Sequence, residues 1–491
     1  MEIENQSNVS QKSTVVQVLL GLIVSFSSLA PSMSIGFSAV ALPYLTDVSN
    51  ARRLTGDEAS WFASIASIAA PLGCLLSGPI SDRFGRKPAI ICVNVVCFLG
   101  WAIITVAYYF PNHQFLLLLI GRLFTGFSTG LSSMPAAVYM AEIATPKLRG
   151  LLITWNALCF SLGIVIIYAL GWIMTENWGL VAALSAAFPC AGLAMVMTYM
   201  VESPSWLITK HRYEDAKRKL RKLFNSREVD EEYETLIRNV AGTRTECEDY
   251  RFRWRHFLEP VCYKPLILMS MFFIFQQFSG TFVILSYAID IVNEAKISID
   301  LYGAIVLIAA TRAVTSAFVS IASKRVGRRP LSLCSGIGMT VSMVLLSGYL
   351  FCIKRGIITD DRFAWVPLTL LMTYFFTATL GFLTMPFAMS AEVFPSKIRG
   401  LATGMVTSIA YTANFILVKL YPDMLHGMGI SPLFLFYGAM SAVGTIFVML
   451  RLPETNGKTL MEIERYFRNE SRNNGELERV QSTCFISNNS N

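Results

Sequence analysis

Acidic and basic side chains recur at matched positions in the two halves of the 491-residue chain. The segment Asp82–Lys87 (DRFGRK) reappears as Lys324–Arg329 (KRVGRR), and Ala141–Gly150 (AEIATPKLRG) reappears as Ala391–Gly400 (AEVFPSKIRG). The copies are separated by about 240 to 250 positions. Self-similarity at one long offset indicates a tandem repeat of a large structural unit.

Carboxylates and guanidinium groups in these segments could form bidentate ion pairs that clamp neighbouring helix ends. If one conformation makes the pairs and another breaks them, the pairs form a gate. The candidate residues are Asp82, Arg83, Arg86, Glu142, Arg149, Glu202, Arg328, Arg329, Glu392, Arg399 and Glu454. Ordinary surface pairs, which contribute about 0 to 1 kcal/mol each, are the alternative interpretation. Repetition in both halves favours the gate.

Long apolar segments separate the charged loops. In the whole chain 54% of the residues are apolar and 15% are charged, whereas soluble domains carry about 25% charged residues. A bilayer core requires roughly 20 apolar residues in a helix, and open strands would leave backbone groups unpaired there. Twelve such segments are centred near Val24, Ile68, Cys97, Phe127, Leu162, Ala191, Phe275, Ile308, Met343, Tyr374, Ile409 and Val443. The sequence therefore predicts an all-α polytopic membrane protein with twelve transmembrane helices, arranged as two six-helix parallel repeats.

Lysine and arginine are concentrated in every second connection between the apolar segments. The positive-inside bias therefore predicts that both termini and the long middle loop are cytoplasmic. The predicted divisions are a cytoplasmic tail at 1–14, a six-helix bundle at 15–201, a cytoplasmic linker at 202–262, a second six-helix bundle at 263–452 and a cytoplasmic tail at 453–491. Within the linker, His211–Asn225 and Val229–Val240 are expected to form amphipathic helices under the membrane.

Several classes of function find no support in the residue pattern. The net charge of +8 lies in short loops between apolar segments, which argues against nucleic-acid binding. The four histidines are isolated and the ten cysteines are scattered, so neither a metal site nor a cofactor is expected. Enzyme motifs, phosphate loops and the charged rings of an ion channel are missing as well. The pattern favours a carrier that moves a small polar solute without changing it chemically.

Three further motifs, together with the charged loops, resemble the sugar porter branch of the major facilitator superfamily: Gly121–Gly126 (GRLFTG), Gln276–Gly280 (QQFSG) and Pro453–Leu460 (PETNGKTL). The resemblance covers about residues 15 to 466. Within the branch, Ser60–Ser67 (SWFASIAS) and Leu72–Lys87 resemble insect facilitated trehalose transporters. The resemblance implies the major facilitator fold, a sugar or polyol held between the halves, and transport by alternating access.

The resemblance also implies which side chains meet the solute. Gln276 and Gln277 match the family's amide pair, and Asn414 matches a sugar-contacting asparagine. An amide both donates and accepts hydrogen bonds, which suits vicinal hydroxyls; hydrogen bonding between helices is the alternative role. Tyr287 matches a tyrosine of the extracellular gate, with anchoring at the membrane interface as the alternative.

The other site positions depart from the family's pattern. Phe282 stands where the family has asparagine, and Thr379 stands where it has glutamate. Phe387 and Tyr411 replace tryptophans, and these aromatic side chains are expected to wall the site. Arg312 replaces an asparagine. Since a mid-membrane arginine costs at least about 2.5 to 3.5 kcal/mol to insert, Arg312 is expected to face the cavity or a partner such as a carboxylate.

The first apolar segment bears on how transport is driven. No Asp or Glu lies between Val15 and Tyr44, where proton-coupled members of the family carry an acidic residue. Without a titratable relay there, the expected function is facilitative transport (uniport) of sugars such as trehalose or hexoses, by a monomer in the plasma membrane. A proton-coupled sugar or polyol symporter and a non-transporting nutrient receptor on the same scaffold are the alternatives.

Overall fold

The computed structural model describes most of the chain. The described residues are 2–47, 53–175, 177–223, 229, 233–234, 236–237, 260–295, 300–322, 326–357, 363, 365–395, 398–455 and 460–468. Within them the secondary structure is helical throughout, apart from turns and short connections. The fold class predicted from the apolar segments is therefore confirmed.

The N-terminal half and the segment after it contain ten α-helices. They are α1 (Glu2–Phe26), α2 (Leu29–Leu45), α3 (Gly56–Phe84), α4 (Arg86–Tyr109), α5 (Gln114–Leu131), α6 (Pro135–Ile143), α7 (Pro146–Ile173), α8 (Trp178–Tyr199), α9 (Pro204–Thr209) and α10 (Tyr213–Leu223). A short 3-10 helix at Pro111–His113 leads into α5.

The C-terminal half repeats this arrangement. Its helices are α11 (Pro260–Phe278), α12 (Thr281–Ser286), α13 (Ala288–Glu294), α14 (Leu301–Ala322), α15 (Arg328–Lys354), α16 (Val366–Leu380), α17 (Met385–Val393), α18 (Arg399–Met428), α19 (Ile430–Arg451) and α20 (Leu460–Arg468). Across the described part of both halves, twelve helical segments are long and apolar enough to cross a membrane, and each contains one of the predicted segment centres.

Interrupted helices occur at matched places in the two halves. The breaks separate α1 from α2, α5 from α6, α11 from α12 and α16 from α17, so they fall in the first and fourth span of each half. Gly280 permits the break after α11 because its φ is +86°, a conformation that costs other residues strain. A Cβ there would also lie 2.6 Å from the ring of Tyr437. Broken helices of this kind expose backbone groups where transporters place their solute sites.

Small residues let helices within one half pack backbone against backbone. A Cβ on Gly126 or on Gly130 of α5 would lie 2.0 Å from the carbonyl oxygen of Ala66 or Ala70 on α3. Glycine spacing of this type brings transmembrane helices together where no hydrophobic effect acts between them. The close contact fixes α3 and α5, which carry several polar residues of the central region.

The two halves meet along three helix contacts: α3 with α18, α7 with α14, and α2 with α12 and α13. Polar bonds cross each of the first two. The Asn414 amide donates to the Ser67 hydroxyl at 2.9 Å, and the hydroxyls of Thr154 and Ser320 are hydrogen-bonded. Since these contacts join the two bundles, they are the ones that a relative movement of the halves must change.

The predicted tail and linker are partly described. α1 begins at Glu2, so residues 2–14 are helical and continuous with the first span. Helix α10 lies within the first predicted linker helix, His211–Asn225, whereas most of the second, Val229–Val240, lies outside the described residues. Leu207 and Ile208 of α9 and Ala216 of α10 form a small buried cluster, which anchors these amphipathic helices to one another.

Candidate solute-binding site and helix-end clamps

The paired amides Gln276 and Gln277 lie at the end of α11, directly before the break at Gly280, and both side chains are buried. The Gln276 Nε2 donates to the carbonyl oxygen of Leu383 at 3.3 Å, and the Gln277 Nε2 donates to Gln276 Oε1 at 3.3 Å. Within the described residues, Gln277 Oε1 has no hydrogen-bond partner. An unpaired buried amide oxygen is costly, so this oxygen is a candidate acceptor for a hydrogen bond from a solute.

Asn414, on α18, forms the second amide site. It donates across the halves to Ser67, while its Oδ1 has no partner among the residues that the structure describes. Asn414, Ser67 and Tyr411 line a cavity of about 20 Å³ between the halves. That volume holds one water molecule. A sugar therefore requires the halves to separate, as alternating access demands.

The predicted aromatic walls lie in different settings. Phe282 is buried on α12, immediately after the helix break. Phe387, on α17, is 40% exposed and packs edge-on against Phe273, with ring centroids 5.0 Å apart. Thr379 is buried on α16, where its hydroxyl donates to the carbonyl oxygen of Phe375 at 2.7 Å. Only the lone pairs of the Thr379 hydroxyl therefore remain for a solute.

Arg312 lies on α14 at the contact with α7. The side chain is buried, and its Cζ lies 5.8 Å from the centre of the Phe160 ring on the other half. The expected carboxylate partner is absent from the described residues around it, since its electrostatic neighbours are the phenols of Tyr168 and Tyr411. Of the two expectations for Arg312, the described residues supply no carboxylate partner, and the expectation that the side chain faces the cavity stays a prediction.

A second buried arginine, Arg122 on α5, was part of a quoted motif but received no role from the sequence. Its guanidinium donates to the carbonyl oxygens of Phe62 and Ala63 and to the backbone and side chain of Ser34. It also donates to the hydroxyl of Ser38. An ionisable residue in mid-span is a functional signal in its own right, and that signal was available from the sequence.

Polar and aromatic contacts close the end predicted to be extracellular. Tyr287 stacks on Tyr421 with ring centroids 4.3 Å apart, and its hydroxyl donates to the carbonyl oxygen of Val418 at 3.3 Å. These contacts lie within one half. Tyr168 of the other half donates to the carbonyl oxygen of Leu285, close to the position of Tyr287, so the region joins both bundles.

Lys419 on α18 makes another contact between the halves, and sequence reasoning missed it. Its Nζ lies 3.3 Å from Asp57 Oδ1, donates to the Ser60 hydroxyl, and lies 4.8 Å from the centre of the Trp61 ring. All three partners belong to α3. The signal in the sequence was a basic residue near the end of one apolar helix and acidic residues at the start of another.

Two of the predicted ion pairs are present at matched places in the two halves. Arg86 Nη2 lies 2.7 Å from Glu142 Oε1, and Arg328 Nη2 lies 2.8 Å from Glu392 Oε1. Arg86 also pairs with Asp82 at 2.8 Å. Each pair joins helices of a single half, so these clamps hold each bundle together at the end predicted to be cytoplasmic.

Glu202 and Glu454 make backbone contacts that the sequence did not predict. Glu202 accepts hydrogen bonds from the backbone N–H groups of Arg86 and Lys87, and Glu454 accepts from the backbone of Arg328 and Arg329. Both carboxylates therefore cap the N-terminus of a transmembrane helix, where they satisfy free N–H groups and complement the helix dipole. They could not be distinguished from ion-pair partners by charge pattern alone.

Glycine is required beside each capping carboxylate. A Cβ on Gly85 or on Gly327 would lie 2.4 Å from an oxygen of Glu202 or Glu454 respectively. The glycine directly before Arg86 and before Arg328 therefore lets the carboxylate approach the helix end. This explains the glycine at the same place in both copies of the loop motif.

The other predicted gate residues make different described contacts. Arg83 is exposed, and its Cζ lies 5.5 Å from the centre of the Phe84 ring; the described residues offer it no carboxylate. Arg329 donates to the carbonyl oxygen of Met449 at 2.6 Å, and Arg399 donates to that of Phe394 at 3.2 Å. The side chain of Arg149 lies outside the described residues.

Twelve apolar helices in two similar bundles, with the buried amide of Asn414 at their contact, are the arrangement of a multi-pass membrane transporter. The model of the family "Sugar (and other) transporter" matches residues 19–467. The chain belongs to this family of sugar transporters.

Relatives and solved structures agree with this assignment. The chain is 30% identical over 454 residues to the "Facilitated trehalose transporter Tret1-2 homolog" of Drosophila simulans, covering 92% of this chain and 91% of the relative. It is 28% identical over 456 residues to the "Facilitated trehalose transporter Tret1" of Culex quinquefasciatus, covering 92% of this chain and 86% of the relative.

The proton:xylose symporter XylE bound to 6-bromo-6-deoxy-D-glucose superposes with a TM-score of 0.75 at 20% identity, over 93% of this chain and 100% of that one. Inward-open XylE from E. coli gives a TM-score of 0.73 at 20% identity, over 92% and 99%. At that identity the structural likeness establishes the major facilitator fold alone.

Proposed function

We propose that this chain is a facilitative carrier of sugars such as trehalose or hexoses, which works by alternating access. The supporting observation is the pair of unpartnered amide oxygens, Gln277 Oε1 and Asn414 Oδ1, within the described residues. The amides lie on the two helices α11 and α18, and Asn414 faces the opposite half. A hydroxylated solute would satisfy both oxygens, which otherwise carry the cost of burial without a hydrogen bond.

The remaining site residues take supporting roles in this proposal. Phe282, Phe387 and Tyr411 provide apolar surface for the sugar ring, and Thr379 offers an acceptor. Tyr287 belongs to the gate on the extracellular side. The clamps built on Arg86 and Arg328, their carboxylate partners and the capping glutamates keep each bundle rigid while the two bundles rock.

A uniport mechanism is supported by the surroundings of Arg122. All its described hydrogen-bond acceptors are neutral oxygens, and the first span has no acidic residue between Val15 and Tyr44. A proton relay needs a group that titrates. We therefore propose downhill transport through a plasma-membrane monomer with both termini in the cytoplasm.

Tracer flux into reconstituted vesicles tests this function. The purified chain in proteoliposomes should give saturable entry of labelled trehalose or glucose, and a pH gradient should leave the initial rate unchanged. Protein-free liposomes serve as the control. Entry accelerated by an inward proton gradient would instead establish a symporter, and saturable binding without entry would establish a receptor. Absence of both binding and entry for the sugars would contradict the proposal.

A further inference from the structure

Three arginines are buried among the described residues: Arg86, Arg122 and Arg312. Arg86 lies at a helix end, and the environments of the two mid-span arginines differ. Arg122 donates to neutral oxygens from α2 and α3, so its charge is solvated by the protein. Arg312 is 5% exposed, yet its Nε and Nη1 have no hydrogen-bond partner among the described residues. Ring faces and phenols near a guanidinium stabilise it much less than hydrogen-bonded oxygens do. Arg312 is therefore a buried cation whose compensation is incomplete.

Carboxylates of the described spans do not supply this compensation. They lie near the ends of the helices, at Asp57, Glu58, Asp82, Glu142, Asp290, Glu294, Glu392 and Asp423. Arg312 lies in the middle of α14. A mid-span arginine without a counter-charge is energetically costly. Such a residue is therefore a candidate functional residue.

Arg312 is connected to the candidate solute site through Tyr411. It lies on α14 of one half and contacts Phe160 on α7 of the other. Tyr411, one of its electrostatic neighbours, lies three residues before Asn414 on α18 and lines the same cavity. Residues at this spacing share a helix face. A solute held by Asn414 can therefore bring another of its groups to Arg312.

We propose that the preferred solute is an acidic sugar, a monoanionic carboxylate such as a hexuronate or an aldonate, with Arg312 as its counter-charge. The inference rests on the sugar-carrier function proposed above and specifies its substrate class. The planar guanidinium matches a carboxylate in a bidentate pair, while the amides bind the hydroxyls. One unpaired positive charge neutralises one carboxylate, whereas a phosphate dianion would leave a negative charge buried.

Voltage-controlled uptake into proteoliposomes containing the full chain tests the substrate class. Labelled glucuronate should enter faster than labelled glucose. A potential that is positive inside should accelerate glucuronate entry and leave glucose entry unchanged, because only the acid carries net charge across the membrane. In Arg312→Gln the ratio of glucuronate to glucose uptake should fall by about tenfold or more, the loss expected for one charge-assisted pair.

Two further variants keep the test decisive. Arg312→Lys retains the charge and should retain the voltage dependence with a higher KM for glucuronate. Arg355→Gln removes an exposed arginine above Phe351 at the end of α15 and should leave the ratio of the two uptakes unchanged. If Arg312→Gln does not fold, the voltage dependence of glucuronate uptake by the unmodified chain still tests the substrate class.

The outcomes separate this inference from the proposed function. If glucose or trehalose enters while glucuronate neither enters nor inhibits that uptake, the acidic-sugar class is overturned and the neutral-sugar carrier is retained. Glucuronate entry that is insensitive to both voltage and Arg312→Gln would overturn the role of Arg312. Failure of every labelled sugar to enter or bind would overturn the carrier function itself.

Discussion

Replacing Arg122 by leucine is expected to abolish transport and to lower the Tm of the purified carrier. Arg122 ties α5 to α2 and α3 through charge-assisted hydrogen bonds to Ser34, Ser38 and two backbone carbonyl oxygens. Hydrogen bonds to a charged group contribute about 1.5 to 3 kcal/mol each. Since leucine replaces all of them, the expected loss of folding free energy is at least about 3 kcal/mol.

Matched variants separate charge from geometry in this test. Arg122→Lys keeps the charge but has three donors on one nitrogen, so partial stability and partial transport are expected. Arg83→Gln removes an exposed arginine that has no described carboxylate partner and should leave Tm unchanged. The measurement is thermal unfolding in detergent together with tracer uptake. An Arg122→Leu protein with the Tm and uptake of the unmodified chain would contradict this account of the buried arginine.

Gln276→Ala is expected to lower the kcat/KM of sugar uptake by about 10- to 100-fold, at an unchanged level of protein in the membrane. The estimate corresponds to about 1 to 3 kcal/mol, the cost of leaving a buried hydrogen-bonding group of the bound sugar unpaired. Gln277→Ala should have a similar effect because its acceptor is unpartnered among the described residues. Gln114→Ala, at the start of α5 and away from the break, should leave uptake unchanged.

Deoxy analogues, each of which lacks one hydroxyl group, identify the sugar hydroxyl that Gln276 contacts. If one hydroxyl pairs with this amide, the analogue without that hydroxyl should lose affinity in the unmodified chain but lose little more in Gln276→Ala, since the two losses share one interaction. Strictly additive losses for every analogue would show that Gln276 does not contact the sugar. Full uptake by Gln276→Ala would exclude the residue from the site.

The spans and the main clamps could be predicted because strong, repeated signals specify them. Each apolar segment is long enough to cross a bilayer, and the backbone must then be helical. Arg86, Glu142, Arg328 and Glu392 were candidates because they lie at matched places in two repeats, although the sequence did not specify which of them pair. One such motif alone would have been compatible with an ordinary surface pair.

Other features could not be predicted because they depend on three-dimensional approach. The capping role of Glu202 requires its carboxylate to reach backbone N–H groups across the turn at Gly85, and a charge pattern does not record backbone donors. The absence of a described carboxylate near Arg312 depends on how α14 packs against α7. The contact of Lys419 with α3 likewise forms only when the halves meet.

Membership of the sugar transporter family does not identify the solute, which depends on the side chains at the site. The two trehalose transporters compared above are 30% and 28% identical to this chain. The candidate site residues of this chain include the amides of Gln276, Gln277 and Asn414 and the buried Arg312. In a buried site one charged side chain changes the preferred ligand more than several apolar replacements do. Family membership therefore establishes transport, and we propose that these residues determine which solute is carried.

Accessibility of Asn414 from the two sides of the membrane tests alternating access most directly. In a background where Cys97, which is fully buried, is the sole native cysteine, Asn414→Cys should react with a membrane-impermeant thiol reagent from either side in turn. A transported sugar should slow both reactions, and Cys97 alone should stay unlabelled. A folded Asn414→Cys protein that no reagent reaches from either side, or whose labelling ignores every sugar it transports, would contradict a solute passage between the two bundles.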